Sequence, residues 1–256
     1  MSVQPGATGA SARKTFSWAA VMLPLLAVAA LATPTAVPAA AGAPAAAAPA
    51  ASADARLLTD YLGNLRTLRT SFVQTLADPN GREIDRAKGT LIVSRPGKFS
   101  WTIQPERPGD AAAPKTPATT GSGAGQLMVC DGVNLWFYDR DLQQVTVRPI
   151  DAALSATPAM LLSGTVDVRK SFTITGAGKR SGLDWVLVEA NGADAEFRRA
   201  LFGFEHQDLK RMILEDKLDQ TATLIFENIQ RNGPVSPSEV TFKPPPGADV
   251  IGTPRR

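Results

Sequence analysis

The residues that could do chemistry are few. The chain of 256 residues holds one histidine, His206, and one cysteine, Cys130. A lone His cannot assemble a multi-histidine metal site, and a lone Cys closes no intramolecular disulfide. No Gly-x-Ser-x-Gly elbow accompanies His206, so the usual serine-nucleophile arrangement has no counterpart. Ser11-Ala-Arg-Lys14 has Ser-x-x-Lys spacing, but it stands at the head of an apolar leader. Gly176-Ala-Gly178 falls in a segment that reads as a hairpin turn, which implies no phosphate loop. Cys130 lies in an apolar strand, where a thiol is buried and inert by default. The acids show no paired arrangement. The pattern is that of a chain that is not an enzyme, with no cofactor and no metal. Charge adds a further exclusion. Lys+Arg number 27 against 24 Asp+Glu, a net charge of +3. Arg198-Arg199 and Lys210-Arg211 read as solvated strand edges, so nucleic acid is not an expected partner.

What remains is apolar surface, and there is more of it than a sheet normally carries. Leu135 and Phe137 point one way along their strand while Trp136 and Tyr138 point the other. Leu127 and Val129 oppose Met128 and Cys130, and Trp185 and Leu187 oppose Val186 and Val188. Ala222, Leu224 and Phe226 share a face. An antiparallel sheet usually keeps one face polar. Two apolar faces require two covers, or one cover and one bound apolar ligand. A barrel-like shell with helices across its mouth would enclose an apolar cavity. A fully packed core fits the same pattern, since aromatic stripes are more often core than ligand site.

The elements that position these residues follow from periodicity. Arg13 and Lys14 precede an apolar run, Phe16 to Leu31, with Ala-x-Ala sites at 30–32 and 39–41. Residues 1–41 therefore read as a secretory signal peptide, 42–53 as an Ala/Pro-rich flexible segment, and 54–256 as a single domain. Leu58, Tyr61, Leu62, Leu65 and Leu68 recur at steps of three and four, which predicts a helix over 55–70. The period then becomes two. Short apolar runs separated by turn residues predict about a dozen strands, from Phe72–Leu76 to Glu239–Phe242, mostly in hairpin order. Thr157-Pro-Ala-Met-Leu-Leu162 predicts a second helix. Residues 107–125 hold no large apolar side chain and read as a loop insertion.

Several stretches, taken in order, resemble a known family. They are Ser71-Phe-Val-Gln74, Gly89-Thr-Leu-Ile-Val-Ser-Arg-Pro-Gly-Lys-Phe-Ser-Trp101, Leu127-Met-Val-Cys-Asp-Gly-Val-Asn-Leu-Trp-Phe-Tyr-Asp139 and Asp141-Leu-Gln-Gln-Val-Thr-Val147. Thr157-Pro-Ala-Met-Leu-Leu162 and Phe242-Lys-Pro-Pro-Pro-Gly247 complete the set. Together they resemble the outer-membrane lipoprotein carrier (LolA) family from about Ala55 to Val250. The insertion at 107–125 departs from the family pattern.

The resemblance implies an unclosed antiparallel β-barrel, a half-barrel of about 11 strands, covered by short helices that enclose a hydrophobic cavity. It implies a monomeric periplasmic chaperone. Such a chaperone binds the acyl chains of lipoproteins released by an inner-membrane ABC transporter. It delivers them to the outer-membrane lipoprotein receptor LolB. The alternative on the same fold is a periplasmic module that senses lipids or lipoproteins. The resemblance also implies that Arg95 latches the lid through helix carbonyls. Leu58, Leu62 and Leu65 are then expected on the lid's underside. Phe99, Trp101, Met128, Trp136, Tyr138, Met160, Leu161, Leu162, Leu224 and Phe226 are expected to line the acyl-binding cavity. A register slip of one residue would send any strand's contribution to the other face.

Overall fold

The computed structural model describes residues 53–106, 125–150, 158–165, 168–191 and 197–255. The expected signal peptide at 1–41, the expected flexible segment at 42–53 apart from Ala53, and nearly all of the expected 107–125 insertion lie outside the described residues.

Helix α1 spans Ala53–Asn64 and strand β1 spans Thr67–Ala77. The helix therefore stops short of Thr70, where periodicity placed its end. From Thr67 onward, partly exposed and buried residues alternate without a break. β-branched Thr67, Thr70 and Thr75 favour that extended backbone. Leu65 and Leu68 continue the helical spacing only by coincidence, because Leu68 is buried as a strand residue.

Hairpins follow: β2 (Glu83–Ser94), β3 (Lys98–Pro105), β4 (Gln126–Asp131), β5 (Asn134–Asp139) and β6 (Gln144–Pro149). Helices α2 (Pro158–Ser163) and α3 (Val168–Ser171) interrupt the run. Then come β7 (Phe172–Arg180), β8 (Leu183–Ala190), β9 (Phe197–Glu205), β10 (Asp208–Asp216) and β11 (Thr221–Arg231). A 3₁₀ turn at Pro237–Val240 and strand β12 (Asp249–Ile251) finish the described chain. The twelve strands form one sheet in the order β12-β6-β5-β4-β3-β2-β1-β11-β10-β9-β8-β7. Neighbours are antiparallel except β12, which runs parallel to β6. The end strands β7 and β12 do not pair with each other, so the sheet is the expected unclosed one.

Two local expectations are corrected. Glu239–Phe242 is not a strand, because Pro237 and a bond from the Ser236 N–H to Glu239 Oε2 (2.9 Å) set up the 3₁₀ turn instead. Gly176–Gly178 lies inside β7, where the register shifts, and the hairpin turns at Ser181-Gly182. That tight two-residue loop needs positive φ at both positions, and Ser181 (φ 51°) and Gly182 (φ 79°) supply it.

The pairing register sorts side chains into two faces. Leu68, Val93, Phe99, Cys130 and Leu135 form one row across neighbouring strands. Arg69, Ile92, Ser100, Val129 and Trp136 form the row behind it. The helices cover the first face. Helix α1 packs on β7 and β8, with the Tyr61 ring edge-on to Phe204 at 5.4 Å, and α2 packs on β2 and β3. The C-terminal segment covers the second face. Its 3₁₀ turn lies over β2, β3 and β4, and Glu239 accepts from Arg69 at 2.7 Å. Phe242 rests on Trp136 (5.6 Å) and Tyr138 (5.9 Å), and β12 then joins β6. Both apolar faces thus have covers made by the chain itself.

Candidate functional site

The turn between β2 and β3 is the point where both helices are fastened. The sequence there is Arg95-Pro96-Gly97, with a cis bond between Arg95 and Pro96. The Arg95 N–H donates to Arg66 O (2.8 Å), just past α1. The Gly97 N–H donates to Ser163 O (2.8 Å), at the end of α2. The Arg95 guanidinium crosses between them, and Nη1 donates to Leu62 O in the last turn of α1. Helix ends leave carbonyls without intrahelical partners, and they carry partial negative charge. A cation with several donors suits that position, and the half-buried setting lowers the Arg95 pKa by desolvation.

Gly164 gives the guanidinium its seat. Helix α2 ends in a Schellman arrangement, with Thr165 N–H to Met160 O (3.2 Å) and Gly164 N–H to Leu161 O (3.3 Å). Gly164 takes φ +73°, and a Cβ there would meet Arg95 Nε at 2.7 Å and Cζ at 2.9 Å. The Ser163 hydroxyl closes the cap on Met160 O (3.0 Å) and touches the Thr165 hydroxyl (2.7 Å). Beneath the turn, Cys130 Sγ donates to Gly97 O (3.0 Å). Burial pushes this thiol up to about 11, so it stays protonated and unreactive.

Asn232, at the end of β11, anchors the other side of the α1 terminus. Its Nδ2 donates to Asn64 O (3.0 Å), and its Oδ1 accepts from the Arg66 N–H (2.8 Å). Its own N–H donates to Thr67 O (2.8 Å).

Most of the expected wall residues gather under the helices. Leu58, Leu62 and Leu65 are buried on α1 and its exit. Met160, Leu161 and Leu162 are fully buried on α2. Phe99, Trp101, Met128, Leu224 and Phe226 are buried in strands, all on the helix-covered face by register. Phe72 links them, edge-on to Trp101 at 5.8 Å and to Phe226 at 6.4 Å.

Trp136 and Tyr138 are not among them. Met128 pairs with Phe137 and Val129 with Trp136, so Leu135 and Phe137 face the helices instead. Trp136 belongs to a cluster with Val129, Val145 and Val147, under Phe242. Its Nε1 donates to Asp131 (2.7 Å). The register across β4 and β5, invisible in either strand alone, makes this difference. Gly164 and Asn232 were missed for another reason. Their part depends on what lies across a long chain separation, although Ser-Gly after an apolar run is a readable helix stop.

Comparison with known proteins agrees with this architecture. The model of the family described as "Outer membrane lipoprotein carrier protein LolA" matches residues 63–109 and 118–243. The break in that match falls inside the 107–125 insertion. A protein of Dechloromonas aromatica named outer-membrane lipoprotein carrier protein is 38% identical over 195 residues, 76% of this chain and 86% of its own length. The same name is carried by a Nitrosospira multiformis protein, 35% identical over 76% of this chain and 86% of its own. A Chromobacterium violaceum protein of that name is 32% identical over 230 residues, 90% of this chain and 97% of its own. The chain belongs to the outer-membrane lipoprotein carrier (LolA) family.

Proposed function

We propose that this protein is a periplasmic carrier that shields the acyl chains of lipoproteins between the two membranes. It receives them from the inner-membrane lipoprotein-releasing ABC transporter and hands them to the outer-membrane receptor LolB. It does no covalent chemistry, needs no cofactor and works as a monomer. Residues 1–41 serve as its export signal, and the 107–125 insertion is a tolerated loop.

The observation that carries this reading is the pairing of an apolar wall with a reversible fastening. Arg95 holds the end of α1 by hydrogen bonds, while the surface beneath is mostly apolar from Leu62 to Phe226. A hydrogen bond contributes about 0.5–1.5 kcal/mol net. Each acyl CH₂ that enters contributes about 0.8 kcal/mol. A few methylenes therefore suffice to displace a few latch bonds, and the lid yields to cargo without any other energy source. No helix among the described residues is long and apolar enough to cross a membrane.

The test is a release assay. Purified protein is added to spheroplasts that make a labelled triacylated lipoprotein. The carrier reading expects a soluble one-to-one complex that forms only with acylated cargo. Tight binding of free lipid without release would replace it with the sensing reading.

A further inference from the structure

The wall beneath the helices is not wholly apolar. Among its buried side-chain atoms, Trp101 Nε1 and Gln74 Oε1 have no hydrogen-bond partner. Trp101 is 5% exposed and Gln74 is 7% exposed. Gln74 alternates with Phe72 and Leu76 on the buried side of β1, and Trp101 follows Phe99 on the buried side of β3. The Phe72 ring stands beside Trp101 at 5.8 Å. An N–H donor and a carboxamide therefore flank one aromatic ring on the lid-facing wall. A third unpartnered atom, the Tyr61 hydroxyl, sits on the lid itself, with Arg231 over its ring at 5.6 Å.

Buried polar atoms are rarely left unpaired, and each one asks for a ligand or a reason. Both groups here are neutral. A charged head group would be desolvated among them without a counter-charge, so they suit neutral ligands. Neutral polar groups do occur at one place in an acylated cargo, where ester and amide carbonyls join the chains to the peptide.

We infer that Trp101 and Gln74 hydrogen-bond the ester and amide groups of the cargo's acyl linkages, so that the wall selects acyl chains over plain alkyl chains. The inference rests on the carrier reading and specifies its site. The Trp101 Nε1–H donates to an ester carbonyl. The Gln74 Oε1 accepts from the amide N–H of an N-acyl linkage. The hydrocarbon tails continue over Leu224 and Phe226.

Two synthetic lipopeptides test this. They share one peptide and one chain length. One carries two ester-linked palmitoyl chains on a glyceryl cysteine, and the other carries two ether-linked hexadecyl chains. Both are titrated against protein purified from cells expressing the full chain. The ester form is expected to bind about tenfold tighter. Trp101→Phe should shrink that ratio, Gln74→Leu should weaken binding of a third lipopeptide whose cysteine nitrogen also carries a palmitoyl amide, and urea melts of each variant are the control for folding. Equal affinities in the wild type overturn the inference and leave the carrier reading intact, whether or not a variant folds. A preference that survives in the double variant overturns it too. If neither lipopeptide binds, the carrier reading falls and this inference falls with it.

Discussion

Gly164 matters for the side chain it lacks. Its φ of +73° and the guanidinium against its Cα leave no room for a methyl group. Gly164→Ala should cost about 2 kcal/mol, part from the left-handed backbone and part from displacing Arg95. Hydrogen exchange at the end of α1 should rise with it. The cause can be isolated with Arg95→Leu in both backgrounds. If Gly164 acts through Arg95, the two losses fall short of additive. Full additivity would confine the glycine to capping α2. Asp131 gives a second residue-scale prediction. Burial opposes its ionisation, but bonds from the Asn134 N–H, Trp136 Nε1–H and Val133 N–H outweigh it and hold its pKa below the usual value. A lowered native pKa stabilises the fold above the unfolded value of about 3.9. That contribution is lost as pH falls through the native value. The stability gap between wild type and Asp131→Asn should therefore be full at neutral pH and close in acid, as followed by denaturant melts. At this scale Arg95 was legible because a motif surrounds it. The role of Gly164 as a seat for Arg95 was not, since Ser163-Gly164 reads as a helix stop but says nothing of what lies against it.

The elements show the same limit in another form. Amphipathic spacing correctly found α1, yet it ran past Asn64 because apolar residues at 62, 65 and 68 satisfy a helix as well as a helix followed by a strand. The stop is imposed from far along the chain. Asn232 meets four backbone groups of the junction and holds φ at 57° itself. Asn tolerates that left-handed backbone better than most residues do. Asn232→Ala loses both the side-chain bonds and the backbone preference, about 2–3 kcal/mol together. Asn232→Gly keeps the backbone freedom and loses only the bonds. Urea melts should thus rank wild type above the glycine variant and the glycine variant above alanine. If alanine and glycine are equal, the bonds alone set the turn from helix to strand. Most strands were legible from period two and turn residues, though Glu239–Phe242 proved a 3₁₀ turn and β12 was missed. Their mutual register was not, and register alone moved Trp136 and Tyr138 to the far face.

On the scale of the whole molecule, one sheet carries two covers with different fastenings. The C-terminal cover is tied by strand pairing at β12, by the Arg69–Glu239 ion pair and by Phe242 on Trp136 and Tyr138. The helical cover is tied by hydrogen bonds at helix ends, and in the proposed carrier the surface beneath it is the one an acyl chain replaces. On that proposal the first cover stays and the second lifts. Two substitutions separate these roles. Phe242→Ala removes a half-buried ring and should lower stability by about 1–3 kcal/mol. Lipopeptide affinity should not change, because Phe242 lies behind the wall. Leu62→Glu places a charge under the lid, where neither water nor a partner awaits it. It should weaken lipopeptide binding strongly and leave the fluorescence of Trp136, on the other face, unaltered. The opposite result, with binding lost in Phe242→Ala and kept in Leu62→Glu, would put the acyl site on the strap side and make the helices the permanent cover.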